Sequence, residues 1–216
     1  MLDGASVLYN PFENLSETLD YDFAQERKFD YSACSTEESI AHIAAFTAGL
    51  WQIHPFGEGN TRTTALFLIK YLRSFGFSIS NDLFAAHSWY FRNALVRANY
   101  FNRERRIVPD LSYLERFLRN LVLGEQNELK NRYLHISAQS FNPTTSKGQI
   151  GTLNVTLEER AVLNCILADA KITQQEIAER IKKSPRTVKR IMASLSERQI
   201  IVRKNGKRDG WWEVLV

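Results

Sequence analysis

His54-Pro55-Phe56-Gly57-Glu58-Gly59-Asn60-Thr61-Arg62 gathers an imidazole, a carboxylate, two glycines, an amide and a guanidinium into nine consecutive residues. Gly57 and Gly59 allow a tight turn and bring backbone N–H groups close to a ligand. Helical sequence resumes around Asn60–Arg62, so those N–H groups fall at a helix N-terminus, where unpaired donors and the helix dipole favour an anion. Arg62 adds a guanidinium whose fork suits phosphate oxygens. Glu58 beside phosphates calls for a bridging cation, and Mg2+ is commonly held by one carboxylate plus substrate phosphates. His54 can take a proton near neutral pH. Phe56, flanked by polar residues, is expected to pin the loop to the core. Singly, a His before Pro or a Gly-Asn pair is ordinary helix-end and turn chemistry. Together the residues point to a site for phosphates and a divalent cation.

The flanking segments must hold this loop. Ser35-Thr36-Glu37-Glu38 is a capping-box start, and the helix behind it places Ile40, Ile43, Thr47 and Leu50 or Trp51 on one face. Arg62 to Phe75 reads as the next helix, with Leu66, Ile69 and Phe75 inward and Gly76 as its stop. Upstream, Ser6–Tyr9 reads as a short strand before the Asn10-Pro11 turn. Glu13 to Lys28 reads as a helix with Leu15, Leu19 and Phe23 as its apolar stripe. Downstream, Asp82 opens a helical stretch to about Asn102, and a helix from Leu111 to Leu123 ends at Gly124. Residues 1–135 thus read as all-α, with no internal repeat.

The loop resembles the Fic signature, His-x-Phe-x-Asp/Glu-Gly-Asn-Gly-Arg-x-x-Arg, placed between two core helices, and the likeness extends over residues 20–124. Such enzymes transfer AMP from ATP to a hydroxyl side chain of a target protein. The resemblance implies that His54 deprotonates the target hydroxyl, that Glu58 binds Mg2+, and that Gly57, Gly59, Asn60 and Arg62 hold the α- and β-phosphates of ATP, with Phe56 and Thr61 in the same nucleotide loop. Asn99 resembles the family's Asn that contacts the nucleoside; a solvated helix-end Asn is the other reading. The segment Ser6, Val7, Leu8, Tyr9 resembles the flap that docks the target's backbone. Thr61 stands where the motif has Gly, and Ala65 where it has its second Arg, which removes one terminal-phosphate contact. The family implies further helices and a first flap strand upstream, and its inhibitory Ser/Thr-x-x-x-Glu-Gly/Asn segment is not found in the chain. An open flap edge could pair with another chain as a homodimer.

Residues 136–153 read as a polar linker with Asn142-Pro143 and Gly148. Beyond it the rhythm changes. Helices are expected over Leu157–Asp169, Thr173–Ile181 and Ser184–Arg198, with alternating strands at Ile200–Lys204 and Trp211–Leu215 around Asn205-Gly206. This pattern over 154–216 resembles the winged helix-turn-helix of bacterial regulators. Arg186, Thr187, Lys189 and Arg190 would face the major groove, while Arg203, Lys204, Lys207 and Arg208 would line the wing and reach phosphates. Protein docking is the other use of such a module. Trp211 and Trp212 alternate, so one is expected in the core and the other at the surface.

The charge distribution agrees with two parts of different use. The chain carries 28 Lys/Arg and 24 Asp/Glu; residues 1–150 hold 15 and 16 of them, and residues 151–216 hold 13 and 8. All the positive excess therefore lies in the last third, which suggests different partners for the two parts, with duplex DNA or a docked protein as the expectation for the winged helix. No apolar run approaches the ~20 residues of a membrane span. Met1-Leu2-Asp3-Gly4 shows no secretory signal, and Cys34 and Cys165 fit reduced thiols, so a cytoplasmic protein is expected. The expected fold is mainly α: a Fic-type helical core followed by a small winged helix (α+β) domain. Its expected function is AMP transfer, and the alternative is a nucleotide-sensing DNA-binding regulator with little or no transferase activity.

Overall fold

The computed structural model describes residues 6–136, 155–205 and 210–215. The expected signal-free start at 1–4, nearly all of the 136–153 linker and wing residues Lys207 and Arg208 lie outside them. Contacts divide the chain into two compact units. One comprises Met1–Phe29, Ile40–Ile69 and Ser80–Gln149; the other comprises Asp30–Ser39, Lys70–Ile79 and Ile150–Val216.

Helices α1 (Leu15–Lys28), α2 (Thr36–Ile53), α3 (Asn60–Ser74), α4 (Asp82–Ala86), α5 (Ser88–Asn99) and α6 (Ser112–Leu123) precede the linker. The capping box at Ser35 is present, with Glu38 accepting from the Ser35 N–H and Oγ (both 2.8 Å) and the Glu38 N–H donating to Ser35 Oγ. Those bonds to its charged form hold the Glu38 carboxyl below its usual range. In the first unit Phe23, Phe46 and Phe67 form an edge-to-face trio with centroids 5.7–6.0 Å apart. Phe84, Phe91 and Phe117 cluster where α4, α5 and α6 meet, at 5.0 Å, with Phe84 edge-on to Phe91 and Phe117 tilted against both. Such geometry matches negative ring faces to positive ring edges. Burial also pushes the Tyr90 phenol well up.

Three expectations change here. Ser6–Tyr9 is not a strand among the described residues; it is tied instead to the last turn of α2. Asn10 N–H donates to Gln52 O (3.2 Å) and Gln52 Nε2 donates to Leu8 O (3.1 Å). The stretch from Asp82 breaks at His87 (φ −128°, ψ 34°), making two helices, Asp82–Ala86 and Ser88–Asn99. Leu66 is 54% exposed rather than inward. Because α3 starts at Asn60, its buried series is Asn60, Thr64, Leu68 and Leu72, four apart, and Leu66 lies about 200° round the helix from Thr64 and Leu68.

The second unit contains α7 (Leu157–Ala168), α8 (Gln174–Arg180), α9 (Pro185–Glu197), β1 (Ile201–Lys204) and β2 (Trp211–Val214). Thr156 with Glu159 and Thr173 with Glu176 make two full capping boxes, and Ser184 caps α9 ahead of Pro185. Between α8 and α9 the chain turns through Lys182 in the left-handed region (φ 53°). Ile177, Ile181, Val188, Met192 and Leu195 are buried as the core of this helical pair. Glu158–Lys183 (2.7 Å) and Glu159–Arg198 (2.8 Å) brace α7 against that pair. The antiparallel β1–β2 ribbon pairs Ile201 with Val214 and Arg203 with Trp212. Neither tryptophan is core. Trp211 is exposed and Trp212 half-buried beneath the Arg203 guanidinium, 5.2 Å above its ring. The ribbon buries Ile201 (1% exposed) rather than either indole, and it is tied just past the end of α7 by the Trp212 N–H, which donates to Ala170 O (2.7 Å). The same unit holds Gly76 (φ 95°), where a Cβ would stand 2.5 Å from Ile181 Cβ and 2.8 Å from Ile181 Cα.

Candidate active site

α2 ends at Ile53 because His54 adopts the left-handed conformation (φ 55°) and Pro55 cannot continue a helix. A non-glycine residue there is held by its surroundings. Those surroundings are aromatic. The Tyr9 ring lies over the imidazole with centroids 3.9 Å apart, and Trp51, one turn back on α2, meets it edge-on at 5.9 Å. Tyr9 and Trp51 also contact each other edge-on at 5.6 Å. His54 Nδ1 is buried without a hydrogen-bond partner.

Asn60 closes the loop. Its Nδ2 donates to Phe56 O (2.6 Å) and its Oδ1 accepts from the Phe56 N–H (3.0 Å), with the residue itself buried. Phe56 was expected to peg the loop into the core, yet its side chain is 50% exposed. Its backbone, gripped by the Asn60 amide, does the pinning. Gly59 is left-handed (φ 80°), and a Cβ there would meet Arg62 Nη2 at 3.5 Å, so the Arg62 guanidinium folds over the glycine. Gly59 O accepts from the Thr63 N–H as the first bond of α3 (2.9 Å). The N–H groups of Asn60, Thr61 and Arg62 therefore have no intrahelical acceptor, which is the arrangement an anion uses.

Gly57, Glu58 and Arg62 are exposed, and neither Glu58 nor Arg62 has an ion-pair partner among the described residues. Thr61, the departure from glycine, accepts a hydrogen bond from the Trp51 indole N–H (3.0 Å). Ala65 is half-buried one turn along α3. Asn99 Nδ2 donates to Ala48 O (3.1 Å) and Leu95 O (2.9 Å), tying α5 to α2. In the extended segment Val7 is buried and Leu8 is 84% exposed. The role of Trp51 and Gln52 beside the loop was missed from the sequence. The available signal was their position in the turn that leads into His54.

In the second unit Arg186, Lys189 and Arg190 are exposed on α9 and have no ion-pair partner among the described residues. Thr187 is half-buried and bonded to Ser184 Oγ. On β1, Lys204 pairs with Glu213 (3.1 Å), and Arg203 covers Trp212.

These features define a helical domain whose loop ends at a helix N-terminus with open N–H groups, joined in one chain to a winged helix. The Fic/DOC family model matches residues 4–72, which include the whole loop, and the winged helix-turn-helix DNA-binding model matches residues 159–202. The chain is thus similar to Fic/DOC domains in its first third and to winged helix-turn-helix domains near its end. No curated protein and no solved structure gives a significant match. No helix among the described residues is long and apolar enough to cross a membrane.

Proposed function

We propose that the chain transfers AMP from ATP to a hydroxyl side chain of a target protein, with the winged helix as its DNA-docking module. The carrying observation is the pairing of a lone imidazole, fixed at the end of α2, with a phosphate-type helix N-terminus six residues on. In this reading the N–H groups of residues 60–62 and the Arg62 guanidinium hold the phosphates. His54 Nε2 takes the proton of the hydroxyl as its oxygen bonds to the α-phosphorus, and pyrophosphate leaves with the bond to the β-phosphate. The exposed Glu58 carboxylate fits Mg2+ held jointly with substrate phosphates. Among the described residues no three His, Cys, Asp or Glu side chains converge to hold a cation alone. Such an ion would neutralise phosphate charge.

The protein is incubated with α-labelled ATP and Mg2+, with and without cell lysate, beside His54→Ala. Label on protein that falls by roughly 10²-fold or more in the variant supports transfer, since a positioned base contributes on that scale. Nucleotide binding without label under any condition would sink it. That outcome is the one expected of a nucleotide-sensing regulator, which Ala65 in place of a second arginine favours.

A further inference from the structure

A base acting through Nε2 needs its proton on Nδ1, and such a ring is usually oriented by an acceptor bonded to that Nδ1–H. His54 Nδ1 is buried and has no acceptor. Something else must hold the ring. Only two rings among the described contacts touch it: Tyr9 at 3.9 Å with a 33° tilt, and Trp51 edge-on at 86°. Each is itself fixed. The backbone on either side of Tyr9 is fastened to the last turn of α2 through Asn10 N–H to Gln52 O and Gln52 Nε2 to Leu8 O. Trp51 is fully buried, and its indole N–H is anchored on Thr61 Oγ1.

We propose that Tyr9 and Trp51 form an aromatic bracket that positions the His54 imidazole in place of a hydrogen-bonded orienting group, with Thr61 as the lock on Trp51. Tyr9 is the positioning residue on the solvent side, and the threonine that departs from the glycine of the motif is part of the device. The inference rests on the reading of His54 as a base. Stacking supplies orientation through shape and the ring quadrupole, so a phenyl ring serves as well as a phenol. A displaced base loses rate while the phosphate cradle at 59–62 keeps its grip on ATP.

The test uses the full chain carrying isotope-labelled histidine, with the His54 ring signals assigned by their loss in His54→Ala. In the parent protein the His54 ring protons are expected upfield of free imidazole, as a stacked ring requires. Tyr9→Phe keeps that displacement and Tyr9→Ala abolishes it. Thr61→Val moves the Trp51 indole N–H signal and the His54 signals together. In the label-transfer assay Tyr9→Ala lowers kcat about tenfold with KM for ATP unchanged, and Tyr9→Phe restores it. His54 protons at free-imidazole positions in the parent, or unmoved by Tyr9→Ala, overturn the bracket. So does a Tyr9→Ala loss that falls on KM for ATP. The spectra judge the bracket even if no transfer is found, so failure of the enzyme reading and failure of the bracket are separable.

Discussion

Ala65 sits one turn after Arg62, on the helix whose open N–H groups face the loop, and it leaves that turn without a second cation. Ala65→Arg adds a guanidinium three residues from Arg62, on the same side of α3. A charge-assisted bond to phosphate contributes on the order of 1.5–3 kcal/mol, so KM for ATP should fall roughly tenfold or more. Unchanged nucleotide affinity, measured by calorimetry, would place the terminal phosphate elsewhere. The placements that depend on residue type were legible from the sequence: an imidazole at a helix end, glycines where the backbone turns, a helix N-terminus at Asn60. What each side chain would be occupied with was not. The grip of Asn60 on Phe56 and the stacking of Tyr9 on His54 are pairings in space, and the Phe56 side chain turned outward because its backbone had already been secured.

Caps at Ser35, Thr173 and Ser184 and left-handed glycines after α3 and α6 marked those helix ends, and they did so because such signals are local. Gly124 (φ 69°) closes α6, and Gly76 (φ 95°) follows α3. The two glycines differ in their surroundings: nothing stands within 4 Å of a Cβ built on Gly124, whereas one on Gly76 would overlap Ile181. Gly124→Ala should therefore cost only the left-handed strain, about 1–2 kcal/mol. Gly76→Ala adds overpacking against the start of the helix-turn-helix turn and should cost about 3 kcal/mol or more. Urea denaturation of the two variants compares them directly, and equal losses would mean that Ile181 yields freely. The sequence failed where an element depends on a distant partner. Ser6–Tyr9 had strand-like residues but gained its hydrogen bonds from the end of α2. The break at His87 has neither Gly nor Pro to announce it.

At the scale of the molecule, the excess of positive charge lies after residue 150, and α9 exposes Arg186, Lys189 and Arg190 with no ion-pair partner among the described residues. Duplex DNA should be retarded by the full chain, with affinity falling steeply as salt rises. Arg186→Ala with Arg190→Ala should flatten the dependence of log affinity on log salt by about 2, since each phosphate neutralised releases close to one counterion. Retention of the parent slope would direct the winged helix toward a protein partner. Helix content and the change of rhythm near residue 154 could be read in advance from periodicity. The fate of the two wing tryptophans could not, because alternation tells faces apart and says nothing of which side chains a neighbouring element covers.

Trp51 has a use beyond holding a ring in place. Of the four tryptophans it alone is buried, 2% exposed, while Trp89 and Trp211 are exposed and Trp212 is half-covered by Arg203. Its indole is bonded to the first turn of α3 and touches both Tyr9 and His54. The blue edge of the protein's own fluorescence is therefore the light of a single chromophore seated against the loop. The red edge belongs to Trp89 on α5 and to the wing. The chain carries an optical gauge of His54's surroundings that needs no label and no substrate.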